Sequence, residues 1–311
     1  LAGYFGAATA YYLSTICKDF DPLYTINELQ TEPYNGMMDL VQAFQSEEHQ
    51  PFAWSAGPAQ ALFVHGFPGT PAELRPLASL LHQAGWSVQG LLLPGHGIEI
   101  ESLFERHQAE WVQAVELAIT RLPQQAAPVL LIGYSLGGAL ALQAAVTQRP
   151  TALILLAPFW QLGDWWQQWL GFLLKPFLRH MRPFQKADFS KPQVRHGIAK
   201  FFPGANLDDP LVQQNLRQLT IPTSIFERLH AVGQAAYRVA PQAALPTLVV
   251  QGAQDEVVSP QRTRRLVKRL AGPTYYQEIP SGHNMIYPND PGWLDLTRIV
   301  LDFAQEVIRA K

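Results

Sequence analysis

Short apolar runs rich in β-formers alternate with helical patterns along most of this chain, and that alternation constrains its fold more than any other feature. ALFVHG (61–66), WSVQGLLL (86–93), PVLLIG (128–133), TALILLA (151–157), PTLVVQG (246–252) and TYYQEI (274–279) read as strands. Near-continuous apolar runs suit strands buried on both faces, as in a parallel sheet covered by helices. Between them, PAELRPLASLLHQAG (71–85) repeats Leu74, Leu77, Leu80 and Leu81 and stops at Gly85. AEWVQAVELAITRL (109–122) carries Trp111, Val115, Ala118 and Ile119 at helical spacing. The pattern predicts an α/β fold, a doubly wound and mostly parallel sheet with right-handed crossovers.

One interval breaks the rhythm. From Phe159 to Ala244 no convincing buried strand is legible, and a structureless loop of that length does not fit a compact domain. The reading is an inserted, mostly helical cap at 159–244, a core at 51–158 and 245–311, and an N-terminal helical extension at 1–50. Residues 18–50 hold one Lys and seven Asp or Glu and read as short helices and turns on an acidic surface. The first residue is Leu rather than Met, from which trimming or processing of the N-terminus is expected. Residues 1–17 carry no charge. They fall short of the about 20 apolar residues of a spanning helix and lack the basic start of a signal peptide. A packed helix is the expectation there, with the tail of a membrane anchor as the alternative.

Hydrophobic residues are 48% of the chain and charged residues 15%, against a usual charged share of about 25%. A large core follows, and disorder is excluded. Twenty-three basic and 25 acidic residues leave a net charge of −2, without the basic footprint that a nucleic-acid partner needs. The single cysteine, Cys17, excludes an internal disulfide framework and a Cys-based zinc cluster. It is compatible with a cytoplasmic location.

The strongest local signal is Gly133-Tyr134-Ser135-Leu136-Gly137-Gly138, between the strand PVLLIG and the helix GGALALQAAVTQ. A G-x-S-x-G at a strand-to-helix turn is the nucleophile elbow. Its turn is so sharp that neighbouring side chains must vanish, hence the glycines, and the helix N-terminus favours developing negative charge. A serine nucleophile needs a base, and the base an orienting acid. In this architecture the chain order is Ser, acid, His. Asp255 follows the strand PTLVVQG and His283 follows TYYQEI, both beyond the C-terminal ends of strands, where such sheets place their sites. Glu256 is the rival acid, and Asp255 is preferred from its position in the loop. Of nine histidines, only His283 occupies the loop after the last strand; His65 and His96, each beside glycine, read as architecture. For the oxyanion, the N–H of Leu136 and that of Phe67, in the loop His65-Gly66-Phe67-Pro68-Gly69-Thr70, are the expected donors.

HGFPGTPAELRPLASLLHQAGW, LLLPGHG, GYSLGG, QDEVVSP and SGH, in that order, resemble the α/β-hydrolase superfamily, and within it the bacterial carboxylesterases and monoacylglycerol lipases with a small helical cap. The resemblance covers roughly residues 52–308. It implies a serine ester hydrolase without cofactor or metal. By position it makes Ser135 the nucleophile, Asp255 the orienting acid, His283 the base, and Phe67 with Leu136 the oxyanion hole. The match to Pro94–Gly97 implies a structural loop beside the site.

The cap stretch aligns with no motif, yet it is the most individual part of the chain. Four of eight tryptophans, Trp160, Trp165, Trp166 and Trp169, fall close together, and Phe172 and Phe177 follow. Two helical faces look apolar, more than one packing surface needs, so the surplus is expected to line an acyl pocket. Lys175, Arg179, Arg182, Lys186, Lys191, Arg195 and Lys200 come next, with Asp188 opposing them. Aromatics beside a basic stretch extend the reading to peripheral membrane contact through the cap or the N-terminal segment. A second basic run, QRTRRLVKRL (261–270), reads as a solvated helix face. The expectation is an esterase or lipase for medium- or long-chain acyl esters such as monoacylglycerols. The same triad would also serve acyl transfer or cleavage of a thioester, amide or C–C bond. A hydrolase fold used as a non-catalytic small-molecule receptor is the remaining alternative.

Overall fold

The computed structural model describes residues 44–123, 127–161, 180–192, 194, 195, 198 and 206–310. Its strands are β1 (Phe52–Trp54), β2 (Gln60–Val64), β3 (Ser87–Leu91), β4 (Val129–Tyr134), β5 (Ala152–Leu156), β6 (His180–Met181), β7 (Ile221–Pro222), β8 (Thr247–Gly252) and β9 (Thr274–Ile279). Seven of them form one sheet in the order β1-β3-β2-β4-β5-β8-β9. β1 runs antiparallel to β3, and every other neighbouring pair is parallel. The mostly parallel α/β sheet expected from the alternation is therefore present.

Composition and position in the sheet go together. Every residue of β2, β5 and β8 is buried, as strands with neighbours on both sides and cover on both faces must be. The outer strands differ. TYYQEI lies at the sheet edge, and along it buried and open positions mix, with Tyr275 exposed. Its polar positions are used outward: Arg264 clamps Glu278 through two hydrogen bonds of 2.8 and 3.0 Å, and the Tyr276 hydroxyl donates to the same carboxylate. β3 alternates between buried and half-buried residues.

The sheet's helices are α1 (Arg75–Gln83), α2 (Gln108–Thr120), α3 (Leu136–Gln148) and, further along the chain, α6 (Pro260–Val267) and α7 (Trp293–Arg309). α1 buries Leu77, Ala78 and Leu81 and gives way to Gly85, whose φ of 93° suits glycine. α2 opens with Glu110 accepting the His107 N–H at 2.8 Å and buries Trp111, Val115 and Ile119. α3 is buried nearly all round, which its Ala-rich sequence permits. α7 turns Leu296, Val300, Phe303, Ala304 and Val307 inward.

The described residues divide into two compact units. One comprises 47–96, 106–161 and 230–310 and contains the whole seven-stranded sheet. The other comprises 44–46, 97–105 and the described part of 162–229. Within it β6 pairs with β7, α4 (Pro210–Gln218) is capped by the Asp209 carboxylate on the Leu211 N–H at 2.8 Å, and Arg195 grips Asp208 through two bonds of 3.0 Å. The division falls inside α5 (Ser224–Val239), so its second half belongs with the sheet. There Tyr237 stacks on Trp160 at 4.2 Å and Ala236 is fully buried, as is Ala240 just past the helix. The stretch read as a cap from 159 to 244 thus has its first few residues and its last turns packed in the sheet unit.

Trp111 is fully buried and its indole N–H donates to the Pro94 carbonyl at 2.9 Å. Trp111→Ala should cost about 3–5 kcal/mol through the cavity it leaves, with the stranded carbonyl adding to it. Urea denaturation of the two proteins checks the figure.

Candidate active site

Ser135 sits where β4 ends and α3 begins, with φ 51° and ψ −117°. For a serine that backbone is strained, and it persists because the turn is held from several sides. The Ser135 N–H donates to the Leu156 carbonyl at 2.9 Å, and the Ser135 carbonyl accepts from Gly138 and Phe159 at 3.0 Å each. A Cβ at Gly133 would collide with the Gly137 carbonyl, and one at Gly137 with the carbonyl oxygens of Val64 and His65. The two glycines are therefore demanded by close backbone approach.

Asp255 and His283 lie in the loops after β8 and β9, and the backbone ties those loops together. Ala253 N–H donates to Ile279 O, and Gln254 N–H to Ser281 O, each at 2.9 Å. The Tyr134 hydroxyl, next to the serine, donates to the His283 carbonyl at 3.0 Å. The result is a hydrogen-bonded line: His283 Nε2 is 3.1 Å from Ser135 Oγ, and His283 Nδ1 is 2.8 Å from Asp255 Oδ2. Because Asp255 faces Nδ1, that nitrogen carries the proton and Nε2 is left to accept one from the serine. Asp255 Oδ1 accepts the N–H groups of Val257 and Val258 at 2.8 Å each. Glu256, the rival acid, is exposed.

The loop after β2 lies against a wall of rings. The Phe67 ring meets His96 at 5.8 Å and Trp111 at 6.4 Å, and His96 meets His65 at 5.0 Å. His65 Nδ1–H donates to the Gly66 carbonyl at 2.8 Å, while its Nε2 accepts the Leu93 N–H at 3.1 Å. Burial pushes its pKa down to about 4. His96 is likewise held well below the ordinary value, by burial and by His65. Both act as neutral struts, in keeping with their reading as architecture. Among the described residues the Phe67 N–H has no protein acceptor. The Leu136 N–H, first in α3, is one of the donors a helix leaves free. Such an arrangement can activate a hydroxyl and receive an oxyanion.

The chain matches the family described as serine aminopeptidase, S33, over residues 58–282. It belongs to this family of α/β-hydrolases. Over 96 residues it is 38% identical to the thermostable monoacylglycerol lipase of Bacillus sp. (strain H-257), which is 31% of this chain and 38% of that relative. The match thus spans well under half the relative's length. A metagenome-derived lipolytic enzyme of known structure superposes with a TM-score of 0.63 at 18% identity, over 85% of this chain and 99% of that one. The monoacylglycerol lipase of Paleococcus ferrophilus superposes with a TM-score of 0.61 at 18% identity, over 84% and 99%. At those identities the solved structures speak for the fold.

Of the aromatics read from the cap, Trp165, Trp166, Trp169, Phe172 and Phe177 lie outside the described residues. Trp160 is buried, stacked on Tyr237, with its indole N–H donating to the Arg262 carbonyl at 2.8 Å. Three residues around the site escaped the sequence reading. Tyr134 is the unspecified position of G-x-S-x-G, which carries no signal of its own. Gln251 donates to Asp255 Oδ2 at 2.9 Å, and a polar residue ending an apolar strand was a legible hint. Glu73 sits in the helical turn Pro71–Leu74 just after the loop that bears Phe67, where its Oε2 accepts the Gly66 N–H at 3.2 Å and its carboxyl lies where a side chain on Gly69 would go.

Burial pushes the Glu73 pKa up to about 7, against a smaller lowering by the Gly66 hydrogen bond. Its charge in turn adds to the burial that raises the Tyr287 phenol. With the folded pKa above the unfolded one, near 4.5, the folded state holds the extra proton in that window. Stability must therefore fall as pH rises from the unfolded value through about 7. Glu73→Gln keeps an acceptor for Gly66 but no charge. It should match the parent below pH 4.5 and exceed it above pH 7.5. Glu73 retains some accessible surface, so the gain is discounted to about 1–2 kcal/mol. Thermal melts of both proteins across that range check the sign.

Proposed function

We propose that this chain is a serine carboxylic-ester hydrolase working through an acyl-enzyme, with medium- or long-chain acyl esters such as monoacylglycerols as substrates. The observation that carries the reading is the line Ser135 Oγ–His283–Asp255, at 3.1 and 2.8 Å. Ser135 Oγ attacks the ester carbonyl as His283 Nε2 takes its proton. The oxyanion lodges against the N–H groups of Phe67 and Leu136, each worth roughly 3–4 kcal/mol of barrier. Collapse of the tetrahedral intermediate expels the alcohol, which receives the proton from His283. Water, deprotonated by His283, then releases the acid and restores Ser135. Asp255 keeps the imidazole in the required tautomer throughout.

Kinship with a monoacylglycerol lipase supports the ester and the glyceride. Trp160 is taken up by packing on Tyr237, and the aromatic surplus that follows it, Trp165, Trp166, Trp169, Phe172 and Phe177, supports a long acyl chain, since each buried CH₂ contributes about 0.8 kcal/mol. The same surplus beside basic residues supports contact with an anionic lipid surface. No helix among the described residues is long and apolar enough to cross a membrane. The family's description names a peptidase, so amide cleavage is the competing use of the same line.

A panel of p-nitrophenyl esters from acetate to palmitate, monoacylglycerols and aminoacyl p-nitroanilides decides between them. Esters of C8 or longer should exceed acetate in kcat/KM by roughly a hundredfold, the gain expected from about four extra buried CH₂ groups. Preference for the anilides would overturn the ester reading. On the best ester, Ser135→Ala should lower kcat by a factor on the order of 10⁶. Asp255→Asn should cost about 10⁴ while Glu256→Gln costs little. A reversed order for the last two would move the acid to Glu256.

A further inference from the structure

Gln251 is the last residue but one of β8, before Gly252, and it is fully buried. Burying an amide is costly unless its donors and acceptor are used, and here they are. Nε2 donates to Asp255 Oδ2 at 2.9 Å and to the Val258 carbonyl at 3.0 Å, with a longer contact of 3.3 Å to the Gly252 carbonyl. Oε1 accepts the Thr263 hydroxyl, from α6, at 2.6 Å. The amide cannot be turned round, because its oxygen would then face a carboxylate and two carbonyls. Gln251 is thus locked from three directions, by its own strand end, by the Asp255 loop and by α6.

The oxygen it reaches is the one that serves the histidine. Asp255 Oδ2 receives both Gln251 Nε2 and His283 Nδ1, at 2.9 and 2.8 Å, while Oδ1 receives Val257 and Val258. All four lone-pair sites of the carboxylate are filled. The backbone donors fix Oδ1 alone, and without a second anchor the carboxyl could swing Oδ2 out of line with the imidazole. A donor on Oδ2 also takes up part of its negative charge, which would otherwise act wholly on an imidazolium at His283.

We propose that Gln251 is a positioning residue of the triad: it holds Asp255 Oδ2 in line with His283 Nδ1 and moderates the basicity of the imidazole. The proposal rests on the reading of Ser135, His283 and Asp255 as the catalytic line. The titratable groups on this network are Asp255 and His283, while its other partners, Val258, Gly252 and Thr263, are neutral.

The test compares kcat, KM and the pH profile of kcat/KM for the parent, Gln251→Met and Gln251→Glu on one p-nitrophenyl ester, with Ser135→Ala alongside. Near-UV circular dichroism sets the folded fraction by which each rate is normalised. Gln251→Met keeps the volume but removes the donor. Its kcat should fall roughly tenfold with KM within about twofold, and the acid limb should move up by about half a pH unit. Gln251→Glu has a donor for Oδ2 only while protonated. It should stay within about threefold of the parent near pH 6 and drop away as the new carboxyl ionises, giving a bell where the parent has a plateau. A folded Gln251→Met with the parent's kcat and acid limb would overturn the proposal. So would an equal loss at every pH in both variants, which is what a purely structural role produces. If Ser135→Ala remains active, the catalytic reading itself has failed, and the two failures are told apart.

Discussion

The site depends on one close approach of backbone to backbone. Gly137, in the first turn of α3, lies so near the carbonyl oxygens of Val64 and His65 that a Cβ has no room. That contact seats the helix N-terminus against the end of β2, where the oxyanion-side loop leaves the sheet. Since β2 and β4 are paired in fixed register, Val64 opposite Gly133, the serine turn and the loop bearing Phe67 are set by the same strands. A side chain at Gly137 would push the serine turn away from the loop that bears Phe67.

The remaining parts are joined to this centre by main-chain bonds more than by side chains. β8 and β9 run parallel in register up to Gly252 and Ile279. The loops beyond them continue the pairing through Ala253 to Ile279 and Gln254 to Ser281. Asp255 and His283 are thus carried on what is nearly an extension of the sheet. Tyr134 closes the circuit from the serine strand to the His283 carbonyl. Sites on rigid elements hold reacting groups to a fraction of an ångström, and here each loop is stitched to its neighbour within a residue or two of the group it presents.

What the sequence made legible follows from which features have a period or a fixed order. The central strands were visible because burial on both faces leaves an apolar run, as in ALILL of β5. Ser135, Asp255 and His283 were visible because glycines mark the elbow and chain order ranks the partners, and the structure brings these three within hydrogen-bond reach. β1 was not read, because three residues, Phe52–Trp54, are too few to show a period. TYYQEI was read as buried because tyrosines count as apolar in a run, whereas at the sheet edge Tyr275 is exposed and the Tyr276 hydroxyl pairs with the exposed Glu278. The far ends of the 159–244 stretch were assigned to a cap because no strand interrupts them, but helical residues such as Ala236 and Tyr237 pack with the sheet unit all the same. Gln251 offered only the hint of a polar residue near the end of an apolar strand, and Glu73 none, since both find their partners only once the adjoining turns have formed.

The histidines beside the oxyanion-side loop show why burial matters to its electrostatics. His65 must donate from Nδ1 to the Gly66 carbonyl and accept at Nε2 from the Leu93 N–H. Only the neutral ring can do both, since protonation would set a donor at Nε2 against a donor at Leu93. Burial holds the pKa down to about 4, well below the ordinary histidine value of about 6.5. The bridge between the loop after β2 and the loop after β3 therefore stays intact through the range in which a histidine base could cycle its proton. The neighbouring His96 is kept neutral by the same burial and by His65 itself, so neither ring brings a positive charge to the loop that bears Phe67. The loop is thus fixed by histidines held neutral, whereas His283 turns its Nε2 to the Ser135 hydroxyl.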